Sequence, residues 1–451
     1  MRDKIENDWT HVDRVVVPVR ATTEEQPPKD EKYIVTADLL IPGRGQPMKD
    51  CGVVVEGKTI KFVGSIINLK TTYGHLPKTH VKILMPGMWD CHVHLMGIHK
   101  VAGDAFIDAW KNPVLSGARS ARDVMLLLDA GFTSVREMAG YGLQLDQAIK
   151  EGSLVGPKIY SSNCIISTTG GHADFHDTPL DWCHDMQQHG APFCVADGPD
   201  ECMKAVRKQL RAGADVIKIC GSGGVGSERD NPVDQQFTSA EMKAMVEVAT
   251  QAQRIVGAHC HGKVGIDAAL RAGVKTIEHG SYLDEESADL MKKHDAILVS
   301  TRLIVENGLK LKEFFSPAGY AKLEAVAKAQ EKAMQIAVRK GVKMATGTDT
   351  GVSMPNSIAT QGLNGKELLY HVRAGMTPLQ AIEAATANGP LTLGPQAPKS
   401  GLLKGGYDAD FIALDENPLE NIEVLIGGSH VTHVWRQGRC YKSPEHPVSI
   451  I

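Results

Sequence analysis

The 451-residue sequence predicts an α/β protein, a (β/α)8 TIM barrel carrying a small β-sandwich domain built from both chain ends. Three observations predict it. Short apolar runs alternate with amphipathic stretches through the middle of the chain, the pattern of repeated βα units around a parallel sheet. Strand-like alternation of apolar and polar residues occupies both ends. The length suits a barrel of roughly 250–300 residues plus an accessory domain.

Residues 1–32 form a polar extension with Arg2, Lys4, Arg14 and Arg20 and no apolar run long enough for a signal-peptide core. Residues 33–85 hold short strands at 33–40, 52–56, 61–63 and 81–84, punctuated by Pro42-Gly43-Arg44-Gly45. A matching pattern returns in 396–445, at 410–414 and 431–435, and Gly438-Arg439 there precedes Cys440-Tyr441. The two ends are expected to pair into one composite sandwich. Between them, 86–395 is the barrel domain, and its strands are expected at 83–94, 132–137, 158–166, 216–220, 255–261, 276–281, 297–301 and 342–349. Helical periodicity fills most intervening segments, as at 239–253, where Met242, Met245, Val246 and Ala249 share a face. The exception is 167–199, which is long, has little periodicity and holds His172, His176, His184 and His189. Lying after the third strand, it is expected to cover the C-terminal mouth as a lid.

Composition excludes several classes of function. A formal net charge of −4 offers no basic face for a polyphosphate partner, so nucleic acid is not an expected ligand. No segment approaches the roughly 20 apolar residues of a spanning helix, so no membrane partner is expected either. The nine cysteines are scattered, without a Cys-x-x-Cys pair, which argues against a disulfide framework or a zinc knuckle. A reducing compartment, the cytoplasm, is the simpler expectation, with secretion left open.

The chemistry is concentrated at the C-terminal ends of the predicted strands. Strand one ends Asp90-Cys91-His92-Val93-His94, and a period of two puts both imidazoles on one side of the sheet, close enough to chelate one ion. Strand five ends with His259 and His261, strand six with Glu278-His279, and strand eight with Asp349. Converging ionisable groups are costly to bury unless a metal or partners compensate them. Lys218 lies inside the apolar run Val216-Ile217-Lys218-Ile219-Cys220. As an ammonium it would oppose a bound cation, whereas addition of carbon dioxide would make it an anionic carbamate able to bridge two metals. The alternative is a lysine snorkelling to the mouth to pair with Asp349 or Glu137.

These residues resemble the pattern of the amidohydrolase superfamily: His-x-His on strand one, lysine on strand four, histidines on strands five and six, aspartate on strand eight. The resemblance covers nearly the whole chain, including the closing 405–414 segment. Within the superfamily the sequence looks like the branch of ochratoxin A amidases and Xaa-Pro dipeptidases, through the stretches 84–92, 136–142, 221–225, 258–263 and 385–388. The resemblance implies a binuclear amidohydrolase acting on N-acyl amino acids or dipeptide-like amides, plausible substrates including ochratoxin A, cleaved to ochratoxin alpha and phenylalanine. It implies two divalent metals, zinc before manganese, cobalt or nickel. His92 and His94 would bind the more buried ion, His259 and His279 the more exposed one, and carboxylated Lys218 would bridge both. Asp349 would bind the buried ion and move the proton from the attacking water to the leaving amine. His261, His172, Arg229 and Tyr141 are expected as substrate contacts, Arg229 because a guanidinium matches a free carboxylate bidentately. Homo-oligomers are common in this branch. The loops at 168–174 and 226–230 depart from it, which leaves the substrate open.

Three other readings stand beside this one. A single-metal deaminase would not need Lys218. A cyclic-amide hydrolase, of the imidazolonepropionase or hydantoinase kind, would differ only in its pocket. A non-catalytic scaffold would have lost a ligand or Asp349, and none is lost.

Overall fold

The computed structural model describes residues 31–100, 105–227 and 229–448. The polar extension therefore lies outside the described residues, apart from its last two, where the strand Lys32–Leu40 begins.

The fold is mixed α/β with parallel sheets. One seven-stranded sheet is built from both ends of the chain, in the order Arg439–Lys442, Val431–Arg436, Phe411–Leu414, Lys78–Pro86, Lys32–Leu40, Met48–Glu56, Thr59–Ser65. Its centre joins the termini: Lys78–Pro86 runs parallel to Lys32–Leu40 and antiparallel to Phe411–Leu414. The predicted pairing of the two ends is thus present as a single sheet. The sequence reading missed the helix Ile66–Tyr73, which buries Leu69 against Ile34 and Val54.

The remaining strands form two parallel sheets. One runs Met344–Ala345, Ile297–Val299, Thr276–His279, Val256–Cys260, Ile217–Cys220, Ile165–Ser167, Phe193–Val195; the other runs Thr350–Val352, Met88–Ile98, Phe132–Glu137, Lys158–Ser161. Two predicted strands are broken in two, and a third is cut short. The first divides into Lys78–Pro86, in the terminal sheet, and Met88–Ile98. The third divides around Asn163, which has φ 64°. The eighth shortens to Met344–Ala345 and resumes at Thr350–Val352, after Asp349 at φ 57°. Main-chain bonds span these breaks, from Cys91 N to Thr346 O at 2.7 Å and from Asp215 N to Ser161 O at 2.8 Å.

Helices cover the parallel strands as the periodicity predicts. The helix Ser239–Gln251 opens on a capping box, Thr238 with Glu241, and buries Met242, Met245, Val248 and Ala249, while Val246 is only half-buried. Each large side chain buried in this way stabilises the fold by about 1.5–3 kcal/mol. The segment 167–199 is less irregular than its composition suggests. It contains the helix Leu180–Gln188 and the strand Phe193–Val195, which extends the parallel sheet at its edge beside Ile165–Ser167. Cys183, Met186, Ala191 and Phe193 give this excursion a small core of its own. Among the described residues no helix is long and apolar enough to cross a membrane.

Lys158 ties the terminal sheet to the parallel strands, with Nζ 2.7 Å from Asp408 and 2.8 Å from Asp410. Burial pushes the Lys158 pKa down, but the two carboxylates outweigh it and hold the pKa above the usual lysine value. A raised folded-state pKa means that the stability it contributes is complete below the unfolded value, about 10.4, and is lost as pH rises through the folded value. Lys158→Met, which leaves Asp410 buried without its cation, should cost about 3 kcal/mol near neutrality. In thermal melts against pH, the gap from wild type should stay constant up to about pH 10 and narrow above it; a gap already closing near pH 8 would refute this assignment.

Candidate active site

The strand ends bring six imidazole, amine and carboxylate side chains together. His92 and His94 alternate on Met88–Ile98 and point to one side, with ring centroids 5.3 Å apart. Lys218 enters from Ile217–Cys220, His259 from Val256–Cys260 and His279 from the end of Thr276–His279. Asp349 arrives where the eighth strand breaks, its N–H donating to His92 O at 2.7 Å. Gly347 permits that approach, because a Cβ there would lie 2.3 Å from Val299 Cγ1 and 2.9 Å from His92 Cβ.

The aspartate lies 3.1 Å from His94 Nε2 and 3.5 Å from His92 Nε2. Lys218 Nζ is 3.3 Å from His92 Nε2 and, among the described residues, has no carboxylate within 4.0 Å. It pairs with neither Asp349 nor Glu137, so the snorkelling alternative does not hold. Glu137 instead accepts from Ser161 Oγ at 2.5 Å and Gly142 N at 3.3 Å. Two sets of donor atoms lie within 4.8 Å of one another: His92, His279 and Asp349, and His259, His261 and His279.

Burial dominates the electrostatics. It pushes the His92 pKa down to about 4 and that of His261 to about 3, and carries His259 and His279 well below the usual range. It also lowers the pKa of Lys218. Burial opposes ionisation of Asp349 too, but His92 and His94 outweigh it and hold the carboxyl at about 2. At His94 burial is outweighed by Asp349, which raises the pKa. The other four imidazoles are held neutral and, with the one carboxylate, make a donor set that fits divalent cations such as zinc.

Four of the rings are fixed through Nδ1, and His259 through Nε2, 3.1 Å from Gly223 O, which is the kind of support that orients a metal-binding imidazole. Nδ1 of His92 meets Glu278 Oε2 at 2.8 Å, that of His94 meets Ala139 O at 2.8 Å, and that of His279 meets Thr301 Oγ1 at 2.7 Å. Ser281 Oγ lies 2.7 Å from His261 Nδ1. Behind His92, Glu278 forms a fully buried two-point pair with Arg136, at 2.7 and 2.8 Å. Asp90 accepts from His92 N, Thr348 N, Thr348 Oγ1 and Asn364 Nδ2, joining the first and eighth strand ends. The sequence reading gave no role to Arg136 or Asp90 and none to Glu278 beyond its place beside His279. Their signal was available, since each is a charge inside a strand next to an apolar residue: Asp90 after Trp89, Arg136 after Val135, Glu278 after Ile277.

The expected substrate contacts divide. His261 is in the cluster, its ring 4.7 Å from His259 and 4.8 Å from His279. His172, from the 167–199 excursion, stacks on His259 at 4.1 Å, with its Nδ1 3.1 Å from Ser227 Oγ. Gly224 makes room for it, because a Cβ there would sit 1.9 Å from His172 Nδ1. Arg229 is not brought into the cluster; its side chain is 72% exposed and lies 3.9 Å from Asp177. The Tyr141 hydroxyl is also turned elsewhere, donating to Ala109 O at 3.3 Å.

A strand-end cluster of this composition on parallel strands defines a hydrolase class, and the chain belongs to the amidohydrolase family, whose model matches residues 83–440. It is an enzyme that hydrolyses amide C–N bonds. The chain is similar to ochratoxinase of Aspergillus niger, with 44% identity over 426 residues, 91% of this chain and 87% of the relative. The crystal structure of A. niger ochratoxinase superimposes at TM-score 0.86 with 42% identity, covering 93% of this chain and 98% of that one. A Xaa-Pro dipeptidase with methionine bound in its active site superimposes at TM-score 0.80 with 31% identity, covering 91% of this chain and 100% of that one.

Proposed function

We propose that this chain is a binuclear metal-dependent amidohydrolase that releases the C-terminal amino acid from N-acyl amino acids and dipeptide-like amides, ochratoxin A among them. The observation that carries the reading is Lys218. A 1%-exposed lysine with no carboxylate within 4.0 Å among the described residues, 3.3 Å from His92 in the cluster of buried imidazoles, has no electrostatic rationale as an ammonium. Adding carbon dioxide to the neutral amine forms an N–C bond, releases one proton and converts a potential cation into an anion. The two parallel sheets are read as one eight-stranded barrel interrupted at Asn163 and Asp349, with the terminal sheet as the accessory domain.

His92, His94 and Asp349 would hold one ion and His259 and His279 the other, with Lys218 between them as its carbamate. When bound, the pair supplies a hydroxide nucleophile at neutral pH and polarises the scissile carbonyl. Asp349, an acceptor only, takes the proton of the attacking water and returns it to the departing amine. His261, held by Ser281, donates to the substrate's acyl or carboxylate oxygen. His172 closes the site over His259 and excludes water. Similarity to a Xaa-Pro dipeptidase and to ochratoxinase supports an amino-acid leaving group.

The test is mass-spectrometric product analysis of the zinc-loaded protein with ochratoxin A, N-acyl-phenylalanines, Xaa-Pro dipeptides and cyclic amides, together with metal analysis. Free amino acid and two zinc equivalents are expected. Lys218→Ala should lose the second equivalent and nearly all turnover. Ring-opened products or ammonia without amino acid would move the assignment to cyclic amides or deamination.

A further inference from the structure

Thr301 stands at the N-terminal cap of the helix Arg302–Lys310, yet its side chain does not cap that helix. Threonine in this position usually accepts from an amide of the first turn. Here the residue is left-handed, at φ 53° and ψ 41°, a strained region that β-branched residues rarely occupy. Its hydroxyl is turned instead to His279 Nδ1, 2.7 Å away.

Another element caps the helix in its place. Glu367, on the helix Lys366–Arg373 and fully buried, accepts from Arg302 N at 2.8 Å and Leu303 N at 2.7 Å. It also accepts from Ser300 Oγ at 2.8 Å, and Gln330 Nε2 donates to Ser300 O at 2.6 Å. The residues on both sides of Thr301 are therefore held from outside their own segment. Strain at Thr301 persists because these contacts over-determine it.

We infer that Glu367 and Thr301 together are positioning residues for His279: Glu367 caps the helix, which holds Thr301 left-handed and frees its hydroxyl to fix the His279 ring. An Nδ1–H donated to Thr301 Oγ1 leaves Nε2 as the free lone pair of a ring that offers a donor atom within 4.8 Å of those of His92 and Asp349 and of those of His259 and His261. The inference rests on the binuclear reading, in which His279 holds the exposed ion.

The test is zinc affinity by chelator competition on the full-length protein, wild type against Thr301→Val, Thr301→Ser and Glu367→Gln. Wild type should hold two equivalents. Thr301→Val should weaken the more labile one by about 10–100-fold, the usual effect of removing a group that orients a metal ligand. Thr301→Ser, which keeps the hydroxyl, should retain wild-type affinity. Glu367→Gln should follow Thr301→Val, and excess zinc should restore turnover to both. Wild-type affinity in Thr301→Val, or a Thr301→Ser variant as weak as Thr301→Val, would overturn the positioning role and leave the binuclear reading intact. Fewer than two equivalents in wild type would overturn both.

Discussion

Asp349→Asn should lower turnover about 10²–10⁴-fold, the range removed with a positioned proton carrier, while leaving most of the metal bound. The carboxylate lies 3.1 Å from His94 Nε2, and these histidines hold its pKa at about 2. It is therefore ionised near neutral pH, with no proton of its own to donate. Asparagine keeps the shape and one ligating oxygen but cannot take up a proton. It also tolerates the left-handed backbone of residue 349, φ 57°, so fold damage should not confuse the result. Steady-state kinetics with metal analysis on the same preparation check both halves. Unchanged turnover would remove Asp349 from proton transfer, and loss of metal in step with activity would recast it as a ligand only.

Side chains at strand ends were legible in the sequence because their position is set by local rules. The two-residue period placed His92 and His94 on one side, and each apolar run ended near the residue that carries chemistry. Strand continuity was less legible. The left-handed conformations of Asn163, His279 and Asp349 interrupt or end strands that their apolar neighbours would extend, and nothing in the residue types requires positive φ for a histidine. The excursion 167–199 was read as irregular because its helix Leu180–Gln188 buries only Cys183 and Met186, too few positions for a clear period. Residue type and loop position are what point to Arg229 and Tyr141 as substrate contacts. Exposure and hydrogen-bond partners depend on packing between distant segments, which one sequence does not disclose.

The buried pair behind His92 sets two effects against each other. Arg136 places its five donors on Glu278, Cys91 O, Thr276 Oγ1 and Thr392 O. Burial works against a charged Glu278, but Arg136, then His92, hold its pKa well below the usual carboxylate range. Removing either partner alone strands a charge at 0% exposure, at a cost of about 3–5 kcal/mol. Against a total stability of about 5–15 kcal/mol, Arg136→Leu should therefore melt far below wild type. The double variant Arg136→Met with Glu278→Leu leaves no stranded charge, so much of that stability should return. Zinc affinity should not return with it, since His92 Nδ1 has lost the carboxylate 2.8 Å away that orients the ring and makes Nε2 more basic. Thermal melts and zinc titrations of the three proteins separate these effects. Affinity recovered together with stability would mean that Glu278 serves only the fold, whereas stability recovered without affinity assigns the pair to the metal site.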